Sequence, residues 1–124
     1  MSHVQRLVVE VTVDASGDAT TYSPAIQFGL LQQIHYVKDD FANGVDFVIT
    51  SEATGQILWD EDNVNASATR APRQATHDTV GVASLYAAGG EPVEDKIALA
   101  NDRIKIVIAQ GGVSTSGTFH FVLS

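Results

Sequence analysis

The stretch that decides the fold is ANDRIKIVIAQGG, residues 100–112. Isoleucines occupy alternate positions in its middle, a polar pair precedes them and a glycine pair follows them. Because successive side chains of a strand point to opposite faces of a sheet, the pattern predicts a β-strand with one buried face. The turn residues at both ends indicate a central strand between two neighbours. Arg103 and Lys105 fall on the outer face, where we expect a carboxylate such as Glu94 or Asp95 to pair with them.

The same alternation recurs on both sides of this strand. Residues 4–14 and 118–123 alternate apolar with polar side chains, and residues 45–49 do so directly after Asn43-Gly44. Asn-Gly is a preferred pair for type I′ turns, so it predicts a hairpin. The chain thus predicts about eight short strands and no helix, which is typical of an antiparallel β-sandwich or a small β-barrel. The predicted core consists of Leu7, Val9, Val11, Phe47, Ile49, Trp59, Ile97, Leu99, Ile104, Ile106, Ile108, Phe119, Phe121 and Leu123.

Length and composition limit the possibilities. A chain of 124 residues is expected to form a single β domain, residues 1–124, and to bury roughly two-thirds of its unfolded surface. It has no cysteine, which excludes disulfides and thiol chemistry. A formal net charge of −8 disfavours nucleic acid as a ligand, because phosphate contacts dominate such binding. No apolar run has the length of a membrane span, so we expect neither nucleic acid nor membrane as a partner.

One long segment, residues 60–81, lacks any alternation. A structureless loop of this length is unusual in a compact domain, so the segment is expected to be a functional arm or to contain a short helix that the pattern does not locate. It contains a local basic group in an acidic chain, formed by Arg70, Arg73 and His77, and Pro72 stiffens it into an extended form. Because arginine is enriched at protein interfaces, we expect these four residues to contact a neighbouring subunit or an acidic partner. The alternative is a surface loop whose arginines balance local carboxylates.

The chain offers few groups for metal binding or catalysis. Asp60 and Asp62 match the first positions of a calcium-binding loop, but Val64 stands where a further oxygen ligand is needed and Asn65 where the turn glycine is expected. The four histidines are spread along the chain, and no nucleophile motif is present. We therefore expect a protein that is not an enzyme and needs no cofactor. A calcium site at Asp60 and Asp62 is the alternative.

The C-terminal two-thirds of the chain resembles a known family. The matching words are FANGVDFVIT (41–50), APRQATHD (71–78), EPVEDKIALANDRIKIVIAQGG (91–112) and GTFHF (117–121). With them the chain resembles small virion structural proteins of tailed bacteriophages, from the head-decoration and neck-region group. The resemblance implies a virion setting with many copies and protein–protein contacts, and it transfers no catalytic residue.

Within a virion, we expect a capsid decoration (cement) protein. A small acidic β domain suits the outer capsid surface, reached after synthesis in the bacterial host cytoplasm. The resemblance implies a homotrimer that bridges subunits of the major capsid protein. One alternative is a head–tail neck or tail component, although short turns instead of a long hairpin disfavour a tail-tube protein. Another is a calcium-dependent carbohydrate-binding module for host recognition, in which an exposed Trp59 or Tyr86 would form the sugar platform.

Overall fold

The computed structural model describes residues 4–124, so His3 lies outside the described residues. These residues form strands and turns without a helix, and the strand pairs are antiparallel, which confirms the predicted all-β fold. Two curled sheets face each other in a half-barrel that resembles a sandwich. The eleven strands are β1 (Gln5–Thr12), β2 (Ala19–Tyr22), β3 (Ile26–Val37), β4 (Asp46–Ser51), β5 (Ile57–Glu61), β6 (Ala68–Arg70), β7 (Gln74–Ala75), β8 (Glu94–Asp95), β9 (Ile97–Asp102), β10 (Ile104–Ala109) and β11 (Ser116–Leu123).

The first sheet is built around the long strand β3. Its order is β1-β11-β3-β6, and β9 pairs with the first half of β3 on the same side as β6. The register between β11 and β3 shifts between Val122 and Leu123. Such an irregularity bends and twists a strand, which helps the sheet to curl around the core.

The second sheet contains the strand that decides the fold. Its order is β2-β10-β4-β5, so β10 is central, as predicted, and its isoleucines are buried.

The predicted pairing of Arg103 with Glu94 or Asp95 was wrong. Arg103 pairs with Glu52 at 2.8 Å, and its guanidinium lies 3.8 Å from the ring centroid of Tyr22. Glu94 and Asp95 form β8 instead, outside both large sheets.

The core lies between the two sheets and is rich in aromatic side chains. The predicted core residues are buried, except that Leu7 is only partly buried. Phe47 of the second sheet packs edge-on against Tyr36 and Phe119 of the first, with ring centroids 4.6 and 5.1 Å apart. Further buried residues are Val13, Ile26, Leu31, Ile34, Tyr36, Phe41, Val45, Leu58 and Val64.

The turn at Asn43-Gly44 does not form the predicted hairpin. It lies between β3 and β4, which belong to different sheets, so the chain crosses from one layer to the other there. Gly44 has a φ of 93°, whereas Asn43 is not among the residues with positive φ. A type I′ turn requires positive φ at both central positions, so this prediction was wrong.

The segment predicted as a long loop, residues 60–81, is partly structured. It includes the end of β5, the short strand β6, which pairs with β3, and β7, which pairs with β8. The short strands explain the absence of a sequence pattern, because two or three residues cannot show an alternation.

Gly117 of β11 provides a test of the packing between the layers. A Cβ atom at Gly117 would lie 2.5 Å from Cε2 of Phe41. We expect Gly117→Ala to lower the free energy of unfolding by roughly 1–3 kcal/mol, because the core cannot accept the added methyl group. Gly29→Ala is the control, since its Cβ would meet Leu123 at an ordinary 3.5 Å. Equal urea midpoints for both variants would contradict the predicted clash.

Candidate interaction site

A ribbon of residues 74–95, called the arm from here on, leaves the body of the domain between β6 and β9. β7 and β8 pair at its base. Beyond the base it divides into two tight turns, one closed by a bridge between His77 and Ala83, the other by a bridge between Leu85 and Pro92. The arm is therefore a forked ribbon rather than a single hairpin.

Backbone hydrogen bonds at the fork hold the arm together. The amide of Ser84 donates to the carbonyl of Thr76, and the amide of Val93 donates to the carbonyl of Ser84, both at 2.9 Å. The amide of Thr76 also donates to the carbonyl of Val93 at 2.9 Å. Among residues 4–124, the hydrogen bonds of residues 76–93 all stay within that segment. The hydrogen bonds between arm and body lie at the base of the arm, where Gln56 Nε2 donates to Gln74 Oε1 at 3.0 Å.

The arm has no hydrophobic core of its own. None of its residues is buried, and four of its five large apolar residues are exposed, while Val93 at its base is half-buried. Their exposed fractions are 82% for Val80, 61% for Val82, 42% for Leu85 and 77% for Tyr86. Apolar side chains concentrated on an exposed segment are typical of a surface that binds another protein.

The charge of the arm is entirely negative apart from His77. Residues 74–95 contain four carboxylates and neither lysine nor arginine, a formal charge of −4 out of −8 for the chain. The backbone amides of Val80 and Val82 donate to the carboxylate of Asp78 at 2.9 and 3.0 Å, which shapes the first turn. A complementary partner surface would therefore be apolar in the middle and basic around it.

Of the predicted contact residues, Arg70 has a clear role within the domain. It lies in β6 at the edge of the first sheet and forms a paired contact with Glu61 of β5 in the second sheet. Its Nε and Nη2 atoms lie 3.0 Å from the two carboxylate oxygens, and its guanidinium lies 5.2 Å from the ring centroid of Trp59. The indole NH of Trp59 also donates to Glu61. Arg70 thus fastens the two sheets along one side.

The other three predicted contact residues lie at the arm or directly before it. Arg73 is exposed, and its Nη1 donates to the carbonyls of Gln32 at 3.0 Å and Pro72 at 2.8 Å. Pro72 is half-buried, and His77 is exposed within the first turn. The four residues therefore follow one another along the edge of the domain. Their contact with another subunit stays a prediction.

The sequence pattern did not indicate the full arm, because it ended the irregular segment at residue 81. Residues 82–86 have the composition of an ordinary short strand, and the glycine pair at 89–90 has that of a turn. The available signal was the density of apolar residues from Val80 to Tyr86 between two turn motifs.

The carbohydrate-binding alternative loses one of its predicted platforms. Trp59 is buried, with its ring centroid 5.3 Å from that of Phe47, so its predicted exposure was wrong. Asp60 and Asp62 are exposed, the first near the end of β5 and the second directly after that strand. Across residues 4–124, no group of three or more His, Asp or Glu side chains is placed to hold a metal ion. Tyr86 is exposed, but it belongs to the arm.

A pair of histidines lies on the outer face of the first sheet. His35 and His120 are directly opposite each other on β3 and β11. Nδ1 of His35 lies 2.9 Å from Oγ1 of Thr69, which continues the same row on β6. Val8 continues the row on the other side. The row therefore offers two imidazoles flanked by side chains that are poor metal ligands.

The most polar cluster lies where the chain passes from β9 to β10. Oδ1 of Asp102 accepts hydrogen bonds from the amides of Ala53 at 2.9 Å and Arg103 at 2.7 Å, and Oδ2 accepts one from the hydroxyl of Ser51. Burial alone would raise the pKa of Asp102, but the hydrogen bonds from Ser51 and the backbone outweigh it and lower the pKa below its usual value. The carboxylate is occupied in holding the loop, which indicates a structural role.

Comparisons with known protein families, curated proteins and solved structures found no match for this chain. Across residues 4–124, no helix has the length and apolarity needed to cross a membrane.

Arg70 gives a first test of the contact between the sheets. We expect Arg70→Ala to lower the free energy of unfolding by about 1 kcal/mol, because it removes a half-exposed ion pair and a cation–π contact. The fluorescence of Trp59, the only tryptophan, should shift as well. Arg73→Ala is the matched control, since that arginine contacts only backbone carbonyls. Equal losses in the two variants would show that Arg70 does not fasten the sheets.

Asp102 gives a test in the acid range. Because its pKa is lowered in the folded state, its contribution is present above the pKa of the unfolded chain and is lost as the pH falls through the folded value. We expect Asp102→Asn to destabilise the protein at neutral pH and to flatten its acid unfolding profile. Urea unfolding at a series of pH values measures both effects. The exposed Asp62 is the control as Asp62→Asn, and a profile unchanged by Asp102→Asn would refute the role assigned to Asp102.

Proposed function

We propose that this chain is a non-enzymatic structural protein of a bacteriophage virion, and that it decorates the capsid by bridging subunits of the major capsid protein. The observation that carries the proposal is the arm, a ribbon without buried residues that presents four large apolar side chains. The resemblance of the sequence to small virion proteins supports the same setting. In this proposal, the two sheets serve as the scaffold that holds the arm.

The arm suits a binding role for a physical reason. An isolated ribbon of two or three short strands is marginally stable in water, because little apolar surface is removed from solvent. A partner that covers Val80, Val82, Leu85 and Tyr86 would supply that burial, at about 25 cal/mol for each Å² of apolar surface. Its acidic residues favour a partner with basic groups around an apolar centre. A homotrimer would attach to the capsid at three equivalent places at once, which strengthens the attachment.

The predicted contact residues have a place in this proposal. Pro72 and Arg73 lie just before the base of the arm, and His77 lies within its first turn, where a bound subunit can reach them. Arg70 supports the base indirectly, because its ion pair with Glu61 fixes β6, the strand that leads into the arm.

A neck or tail component of the same virion is the second candidate. Its support is also the arm, because ribbons that leave a β domain can pair with neighbouring subunits in a ring. The two candidates differ in location and not in the chemistry of the contact. Electron microscopy of purified particles with and without the protein distinguishes them, by density lost from the capsid surface or from the neck and tail.

The proposal predicts that binding to particles depends on the arm. Residues 77–92 can be replaced by Asn-Gly, because Thr76 and Val93 already bond to each other at 2.9 Å and can close a hairpin. We expect this variant to keep the fluorescence of buried Trp59 and to lose at least about tenfold in affinity for capsids. Val113→Ser, which removes an exposed apolar side chain elsewhere, is the control. A folded variant that binds capsids normally would overturn the role of the arm.

A further inference from the structure

The outer face of the first sheet carries a second exposed apolar surface. Phe28 and Leu30 of β3 lie directly opposite Ala100 and Ala98 of β9. Phe28 is 77% exposed and Leu30 40% exposed, and both alanines are exposed. We call these four residues the β3–β9 face.

This surface differs from an ordinary outer face of a sheet. Solvent-facing strand positions are usually polar, and here four neighbouring positions are apolar. The two alanines of β9 lie beside Phe28 and Leu30 of β3, so the apolar surface extends over both strands.

One basic side chain lies at the end of the β3–β9 face and another lies on the same sheet. Lys96 directly precedes β9 and lies two positions before Ala98 in the chain. Arg6 is exposed on β1, which β11 separates from β3. Within residues 4–124, the ion pairs involve Arg70 and Arg103 but neither Lys96 nor Arg6.

We propose that the arm of one copy of this chain packs on the β3–β9 face of a second copy. The arm supplies exposed apolar side chains on an acidic ribbon, and the face supplies exposed apolar side chains with Lys96 at the start of β9. The inference rests on the proposed function for the role of the arm, and it adds the identity and the location of the partner surface. The capsid would then bind an oligomer that has already assembled.

The contact limits the kinds of oligomer that can form. Arm and face are different surfaces of one chain, so the contact is heterologous, and each copy can give its arm to one neighbour and receive the arm of another. Such contacts close into a ring when the rotation allows it and otherwise form filaments. The proposed homotrimer is a ring of three such contacts.

Two exposed pairs of side chains allow a complementation test. The arm variant is Leu85→Ser with Tyr86→Ser, and the face variant is Phe28→Ser with Leu30→Ser. Sedimentation equilibrium should show an oligomer for the unaltered protein and monomers for each variant alone, with self-association weakened at least about tenfold. An equimolar mixture should form dimers and nothing larger, because only one intact arm can meet one intact face. Val113→Ser controls for the loss of an exposed apolar side chain.

A charge exchange provides a second test at the border of the face. Lys96→Glu should weaken self-association, and Glu91→Lys, tested with it in the same chain, should restore part of the loss. Near-ultraviolet circular dichroism establishes that each variant is folded. Restoration is expected to fade in high salt, because screening removes the attraction between exposed charges.

The outcomes separate the inference from the proposed function. A face variant that self-associates normally, a mixture that stays monomeric, or an unaltered protein that is monomeric throughout overturns the packing of arm on face. If the arm-shortened variant nevertheless fails to bind capsids, the proposed function stands and the arm contacts the capsid directly. If the unaltered protein forms the oligomer but never binds particles, the inference stands and the proposed function fails.

Discussion

The contact between aromatic rings of the two sheets is the interaction on which the fold depends. Phe47 reaches from β4 to the rings of Tyr36 and Phe119 on the opposite sheet, at 4.6 and 5.1 Å. Each such pair adds about 0.5–1.5 kcal/mol beyond the burial of its area. The rings require a close approach of the layers, which Gly117 permits by leaving room for Phe41. Because each sheet buries only its inner face, the outer faces remain free to bind other molecules.

The parts of the fold that alternation could predict are those with one buried and one exposed face. β10, β11 and β1 meet this condition, and their inward positions were predicted correctly except that Leu7 is only partly buried. Strand partners could not be predicted, because a periodicity states which face is buried and not which strand lies beside it. Asn43-Gly44 illustrates this limit. The pair does mark a turn, but the turn leads into the other sheet.

The candidate site was harder to predict for a related physical reason. A segment that is exposed on all sides has no buried face, so it produces no hydrophobic periodicity. The arginines of residues 70–77 predicted a contact with another subunit. Arg70, however, pairs with Glu61, which lies on an edge strand of the other sheet. Local charge could not reveal that contact, since it depends on how the two sheets align. The exposed apolar residues of the arm follow from Val80 to Tyr86, in a stretch whose turn residues are the same as those of an ordinary surface loop.

Energetic considerations connect the arm to a partner. Fixing the backbone of each residue costs roughly 1–2 kcal/mol of conformational entropy, which a domain recovers mainly by burying apolar surface. Residues 74–95 bury none of their side chains fully, so hydrogen bonds within the ribbon and at its base are left to oppose that cost. Each of these bonds contributes only about 1 kcal/mol net, because water competes for the same groups. An apolar partner surface that covers the arm would stabilise it by burying its exposed side chains. The β3–β9 face of a second copy offers such a surface, and the same contact would bury the exposed Phe28 of that face.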